Sequence, residues 1–161
     1  MESIRRYLSP LGGITLAGDG EGLTGLRFDG QAGSADVPGR EYPGESLPVL
    51  TEAERWLDLY FSGKVPGFTP KLNLRGTAFR KAVWEILLTV PYGRTVTYGE
   101  IAERMGLPRG SARAVGGAVG QNPVLLIVPC HRVVGRGGSM TGYAGGISRK
   151  VKLLEMEKER T

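Results

Sequence analysis

The run Val128-Pro129-Cys130-His131-Arg132-Val133 places the chain's single cysteine beside its single histidine. A thiol does chemistry as its thiolate, and a free thiol is mostly protonated at neutral pH, so a working cysteine needs a base or a cation close by. His131 and Arg132 stand in position to supply one or both. The alternative is an inert core cysteine, the usual fate of a lone one, and the segment by itself leaves the two readings evenly matched. One cysteine forms no internal disulfide, and one cysteine with one histidine cannot build a zinc site of the His/Cys type within a chain. No metal is therefore expected, and no pattern suggests an all-carboxylate site.

The elements that must hold this thiol follow from the flanking pattern. Val124-Leu125-Leu126-Ile127-Val128 is an unbroken apolar run and predicts a buried strand ending at Cys130. Downstream, residues 135–146 form a glycine-rich loop around Tyr143. A charged amphipathic helix from Ser148, packed through Val151 and Leu154, closes the chain. Upstream, Thr77 is placed to cap a helix with Phe79, Val83, Leu87 and Val90 inward, ended by Pro91-Tyr92-Gly93. Thr97-Tyr98-Gly99-Glu100 has capping-box spacing and opens a short helix with Ile101, Ala102 and Met105 inward. After a turn at residues 106–110, Ser111 caps a second short helix over residues 112–119.

That second helix is unusual. Ala112, Ala114, Gly116, Gly117 and Ala118 fill a core poorly, and a glycine inside a helix costs roughly 1 kcal/mol relative to alanine. Residues this small let a helix backbone approach another body closely, either a neighbouring helix or a nucleic-acid groove. Two short helices joined by a tight turn have the form of a helix-turn-helix. Arg113 is the one long side chain near the start of the second.

The first third reads as β-structure: Ile14 and Leu16 alternate, Gly18-Asp19-Gly20 signals a turn, and Thr24, Leu26 and Phe28 alternate again. Residues 31–48, rich in Gly, Pro, Ser and acid, read as a loop. Leu50, Ala53, Trp56, Leu57, Tyr60 and Phe61 recur at helical spacing, closed by Gly63. Residues 65–74 look like an extended linker, which puts a domain boundary near Arg75 and gives domains of 1–75 and 76–161.

At 161 residues and 40% hydrophobic content, the chain suits one medium domain or two small ones. No stretch reaches the roughly 18 to 20 apolar residues of a membrane span, and the N-terminus lacks a signal peptide's apolar core. A reducing cytoplasm best suits a free working thiol. Residues 1–75 hold 8 Lys/Arg and 10 Asp/Glu, whereas residues 76–161 hold 13 and 6. The thiol therefore lies in a basic half, as a phosphate-rich partner would require.

Three ordered blocks carry a resemblance: Arg113-Ala114-Val115-Gly116-Gly117-Ala118; Asn122-Pro123 with Pro129-Cys130-His131-Arg132; and Gly142-Tyr143-Ala144-Gly145-Gly146. With Pro91-Tyr92-Gly93 and Thr97-Tyr98-Gly99-Glu100, they make the chain resemble the O6-alkylguanine-DNA alkyltransferases, densely over residues 76–157 and more loosely before. The resemblance implies an α+β fold, with a small ribonuclease H-like α/β N-terminal domain before a mainly helical, winged-helix-like DNA-binding domain. It implies direct, irreversible, single-turnover transfer of an alkyl group from O6-alkylguanine, and from O4-alkylthymine, to Cys130 after base flipping. No cofactor is implied, because the lesion is the alkyl donor. The partner implied is double-stranded DNA carrying the lesion, bound by a monomer that could assemble cooperatively, with no membrane partner.

The resemblance also implies roles. Cys130 is similar to the alkyl acceptor, His131 to the base that takes its proton through a water, and Glu157 to the acid that orients the histidine. Asn122 resembles a hinge that braces the thiol segment, and Tyr143 the hydroxyl that donates to the flipped guanine. Val133, Tyr143, Ala144, Gly145 and Gly146 correspond to the substrate pocket. Arg113 corresponds to the residue that fills the vacated stack and Tyr98 to one that crowds the 3′ phosphate. Ala112, Ala114, Gly116, Gly117 and Arg132 complete the implied DNA-binding set. Two departures stand out: the turn between Tyr98 and Arg113 is one residue longer than in some relatives, and Ala144 replaces a serine. Some relatives also carry zinc ligands in the N-terminal domain, which here has neither cysteine nor histidine.

Rival readings fare less well. A non-catalytic alkylated-DNA-binding protein would lack the acceptor thiol. A sequence-reading regulator would need Asn, Gln or Arg along its recognition helix. A cysteine hydrolase or redox enzyme would need an oxyanion pocket or a resolving thiol.

Overall fold

The computed structural model describes residues 2–31, 40–41 and 47–159. The chain forms two compact units, Met1–Arg75 and Gly76–Thr161.

In the first unit β1 (Ser3–Ser9), β2 (Gly12–Asp19) and β3 (Gly22–Phe28) form an antiparallel meander. The Asp19 carboxylate closes the β2–β3 turn by accepting from the Glu21 and Gly22 amides at 2.9 and 3.1 Å. β4 (Arg40–Glu41) adds parallel to β1, giving the order β3-β2-β1-β4. This corrects the expectation of a plain loop over 31–48: two of its residues pair with an edge whose free amides and carbonyls need partners. The rest of that stretch, 32–39 and 42–46, lies outside the described residues.

Helix α1 (Pro48–Phe61) starts with a proline in its first turn, where the missing amide costs no helical bond. It buries Val49, Leu50, Ala53, Trp56, Leu57 and Tyr60 against a sheet whose Ile14, Leu16, Leu26 and Phe28 are fully buried. The segment expected to be a linker, 65–74, is instead clipped to β3. Leu23 donates to the Lys71 carbonyl at 2.7 Å, and the Asn73 amide donates back to Leu23 at 2.8 Å. Gly22 makes this approach possible, with φ +152° and a Cβ position only 2.8 Å from the Lys71 oxygen. Gly22→Ala is expected to destabilise the protein by about 1–3 kcal/mol, read as a lower urea midpoint at unchanged slope. An unchanged midpoint would show the clip to be dispensable.

In the second unit α2 (Ala78–Leu87) is capped by Thr77, whose hydroxyl accepts from the Arg80 amide at 3.1 Å. The anticipated stripe misses Trp84, which is buried and donates from Nε1 to the Ala118 carbonyl at 2.9 Å. Phe79 is only half-buried, and Val90 is buried beyond the end of the helix. Helix α3 (Tyr98–Arg104) carries the Thr97/Glu100 capping box. Helix α4 (Ala112–Gly120) follows, but Ser111 does not cap it: its hydroxyl donates to the Pro108 carbonyl at 2.7 Å. β5 (Val96–Thr97) pairs in parallel with β6 (Val133–Val134), just past the thiol.

Two expectations are overturned near the thiol. Residues 124–128 are buried but are not a strand. Ile127 donates to Leu125 at 2.8 Å and Val128 to Val124 at 3.1 Å, and Leu126 adopts φ +71°. An apolar run signals burial but leaves the backbone path open, and here the run satisfies itself as a tight turn. The last helix, α5 (Ile147–Glu159), buries Lys150, Leu153 and Glu157, while Val151 and Leu154 are half-buried. Polar partners on the inner face pull that side inward. Among the described residues no helix is long and apolar enough to cross a membrane. The α+β fold class is as expected.

Candidate active site

Cys130 opens a 3-10 turn, Cys130–Arg132, and is 4% exposed. Asn122, at the end of α4, braces the turn before it: its Nδ2 donates to the Val128 carbonyl at 2.8 Å and its Oδ1 accepts from the Val124 amide at 3.0 Å. The Asn122 side chain also favours the Cys130 thiolate, against the effect of burial. The turn that starts at Cys130 thus directs His131 and Arg132 toward the inner face of α5.

Glu157 receives this face. His131 Nε2 lies 2.6 Å from Glu157 Oε2. Arg132 donates from Nε to Oε1 at 2.8 Å and from Nη2 to Oε2 at 3.2 Å, and the Gly93 amide adds a bond to Oε1 at 3.3 Å. Arg132 Nη1 donates to the Val90 carbonyl at 2.8 Å. His131 and Glu157 are at most 1% exposed and Arg132 is 8% exposed. This corrects the DNA-binding reading of Arg132: its guanidinium is committed to Glu157 and Val90 inside the unit.

The electrostatics follow from these contacts. Burial alone would raise the Glu157 carboxyl, but the hydrogen bonds and charges of His131 and Arg132 outweigh it and hold the group well below the usual carboxylate range. For His131, burial lowers the pKa; the Glu157 bond opposes this, while Arg132 and Lys150 reinforce it. The net direction is downward because burial is the largest of these effects, and Arg132 adds to it. A neutral imidazole donating from Nε2 to Glu157 leaves Nδ1 as an acceptor, and Nδ1 has no partner among the described residues. Burial pushes the Cys130 thiol up to about 11, against the pull of the Asn122 amide and the Lys150 charge. At rest the sulfur is therefore protonated, one residue before a neutral imidazole on the same turn.

Tyr143 comes to the same place. Its ring meets His131 edge-on at 6.4 Å between centroids, and its hydroxyl is buried without a partner among the described residues. Burial raises its pKa, and the nearby Cys130 adds to the effect. Val133 is buried in β6, while Gly145 is buried and Ala144 half-buried in the turn closed by Gly146 N–H to Tyr143 O at 2.9 Å.

The remaining predicted residues form a separate surface. Ala112, Arg113, Ala114 and Gly117 are exposed on α4. A Cβ added at Gly117 or Gly120 would meet nothing within 4 Å, so helix–helix packing does not account for those glycines. Gly116 does have an internal reason, since its Cβ position lies 3.6 Å from the Tyr98 ring. The Tyr98 hydroxyl bonds the Thr141 hydroxyl at 2.7 Å.

Sequence reasoning missed Lys150 and Thr141. Lys150 is fully buried, and its Nζ donates to the Thr141 hydroxyl at 3.1 Å and carbonyl at 3.4 Å. The signal was present: positions 150, 153 and 157 share a helical face with spacing i, i+3, i+7, although two of the three are charged.

The family model described as "6-O-methylguanine DNA methyltransferase, DNA binding domain" matches residues 78–159. The corresponding "ribonuclease-like domain" model matches residues 5–74. A Mycobacterium bovis protein named methylated-DNA–protein-cysteine methyltransferase is 50% identical over 152 residues, covering 94% of this chain and 90% of its own length. A Methanosarcina acetivorans protein of the same name is 47% identical over 151 residues, covering 94% and 95%. The crystal structure of Mycobacterium tuberculosis OGT in complex with DNA superposes with a TM-score of 0.89 at 48% identity, covering 99% of this chain and 94% of that one. Both halves of the fold and the site-bearing motifs thus match one family, and the chain belongs to the 6-O-methylguanine DNA methyltransferase family.

Proposed function

We propose that this protein repairs DNA by moving an alkyl group from O6 of guanine to the sulfur of Cys130, once per molecule. The observation that carries the reading is the buried thiol beside a neutral His131 whose other nitrogen is fixed on Glu157. His131 Nδ1 takes the thiol proton through a water, and Glu157 stabilises the imidazolium, in the nucleophile–base–orienter arrangement. The thiolate attacks the alkyl carbon. The C–S bond forms as the C–O bond breaks, and the electron pair leaves with guanine, which regains a proton. Tyr143 donates to the ring as charge develops there. The thioether does not hydrolyse under ordinary conditions, so the protein is consumed; no cofactor enters the balance. O4-alkylthymine presents the same carbon–oxygen bond and belongs to the same proposal. A free thiol of this kind suits a reducing compartment such as the cytoplasm.

A base within a duplex cannot reach the sulfur of a residue only 4% exposed. It must leave the stack, at a cost of about a few kcal/mol, lower for a damaged pair. The open face of α4 at Gly117 and Gly120 lets the helix lie close in a groove, and Arg113 on that face fills the gap. Tyr98 lines a groove with Arg109 and Arg136, both suited to phosphate. The acceptor thiol weighs against the non-catalytic lesion binder.

The test is intact mass after mixing with an O6-methylguanine duplex. One methylene gained per protein, with no second turnover, is expected; no gain at any ratio removes the proposal. Arg113→Ala is expected to slow transfer from duplex by about tenfold or more, a few kcal/mol of unstacking being left uncompensated. Transfer from free O6-benzylguanine is expected to be unchanged. Equal losses on both substrates would deny Arg113 a part in base extrusion.

A further inference from the structure

The short segment after α2 converges on the Arg132–Glu157 pair. Pro91-Tyr92-Gly93-Arg94 makes a tight turn, closed by the Arg94 amide on the Pro91 carbonyl at 3.1 Å. Gly93 sits at φ +80°, as the third residue of a type II turn requires. Just before the turn, the Val90 carbonyl accepts from Arg132 Nη1 at 2.8 Å. The Arg132 guanidinium carbon lies over the Tyr92 ring, 5.6 Å from its centroid. The Gly93 amide donates to Glu157 Oε1 at 3.3 Å. This segment therefore gives the cation an acceptor, sets a ring on its face, and gives the anion a donor. A cation this close to an aromatic face is attracted by the ring's negative surface, more so when it is withdrawn from water, and Arg132 is buried. Nothing in the thiol–histidine–acid arrangement described above calls for that ring.

We propose that Tyr92 is a positioning residue: its ring holds the Arg132 guanidinium on Glu157, and so fixes the share of that carboxylate left for His131. This rests on the reading that His131 is the base for Cys130. Glu157 serves both partners at once. Its Oε1 accepts from Arg132 Nε and the Gly93 amide, while Oε2 meets His131 Nε2 and Arg132 Nη2. A guanidinium carries its donors in one plane, so its bonds to Glu157 and Val90 run along its edges. A ring against its face resists tilting out of that plane. With the guanidinium loose, Glu157 faces the imidazole alone and a proton on His131 is better stabilised. A base that is protonated at rest takes no proton from the thiol. The charges that His131 feels are Glu157 and Lys150 on α5 and Arg132 beside it on the turn. Cys130 precedes it on that turn, and the Tyr143 ring meets it edge-on. Of these groups, Tyr92 acts on Arg132.

The chain has one histidine, so the untagged protein gives a single set of imidazole NMR resonances whose pH titration reads His131. In Tyr92→Leu the midpoint is expected to move upward by at least about half a pH unit, which is about threefold more imidazolium at any higher pH. Tyr92→Phe, which keeps the ring, is expected to coincide with wild type. Coincident Tyr92→Leu and wild-type titrations, or a Phe variant shifted as far as Leu, overturn the proposal. A ring that only packs would lower the urea midpoint and leave the imidazole where it was. If Tyr92→Leu does not fold, Tyr92→Met is read on the same terms. The wild type supplies a check that needs no variant: the Arg132 Nε–H is expected to exchange with water at least about tenfold more slowly than those of exposed arginines, and equal exchange overturns the proposal. Methyl transfer by the wild type, run in parallel, separates the two claims. Absent transfer with a shifted Tyr92→Leu titration removes the repair reading and leaves the hold on Arg132 standing; transfer with an unshifted titration removes only this proposal.

Discussion

Glu157→Gln is expected to lower stability by about 3–5 kcal/mol, because removing one partner of a buried ion pair strands the other. Glu157 is 1% exposed and accepts from His131, Arg132 twice and the Gly93 amide. Glutamine keeps the shape but leaves the Arg132 guanidinium without its counterion. The loss is expected to depend on pH with a definite sign. The folded-state pKa of Glu157 is depressed, so its contribution is complete above the ordinary carboxylate value of about 4.3 and is lost as pH falls below it. Urea unfolding is therefore expected to separate the two proteins widely at neutral pH and to bring them together in acid. A constant gap across that range would mean the carboxylate's charge is not what holds the site.

His131→Phe is expected to slow methyl transfer by about 10²- to 10⁴-fold, the range for loss of a positioned base, with duplex affinity unchanged. A phenyl ring fills much of the same buried space but accepts no proton. Glu157 retains Arg132 and Gly93, so the fold is expected to survive. The wild-type rate has its own pH signature. The pKa of His131 is lowered, so the base is neutral at its ordinary pKa of about 6.5 and its activity declines only as pH falls further. In the variant that acid limb is expected to vanish. Stopped-flow transfer under single-turnover conditions measures both, and a rate within a few-fold of wild type would take His131 out of the proton path.

The candidate site was legible in part: Cys130 and His131 stand out because each is the chain's single residue of its kind. The residues by themselves left a working and an inert cysteine evenly matched, and the parts expected of Asn122, Tyr143 and Glu157 came from the family resemblance. The capping residues were legible for a local reason: Thr77, Thr97 and Glu100 bond amides three residues away, and sequence spacing alone fixes that geometry. Ser111 shows the limit. Its hydroxyl donates to the Pro108 carbonyl and accepts no amide of the helix, and whether it can do so depends on a backbone angle that no residue type dictates.

What the chain determined by itself was residue chemistry, burial and short-range hydrogen bonding: a thiol next to an imidazole, an apolar segment leading to it, and small residues along one helix. Only the tertiary structure decided the rest. It turned the apolar run into a buried turn, withdrew Arg132 from the surface onto Glu157, and hung the Trp84 indole on the Ala118 carbonyl. Each of these joins groups separated by 20 residues or more, or chooses between backbone paths that bury the same side chains equally well. Apolar patterning says which residues leave water. The pairing of distant charges, and the path the buried backbone takes, are set by the whole fold satisfying its polar groups at once.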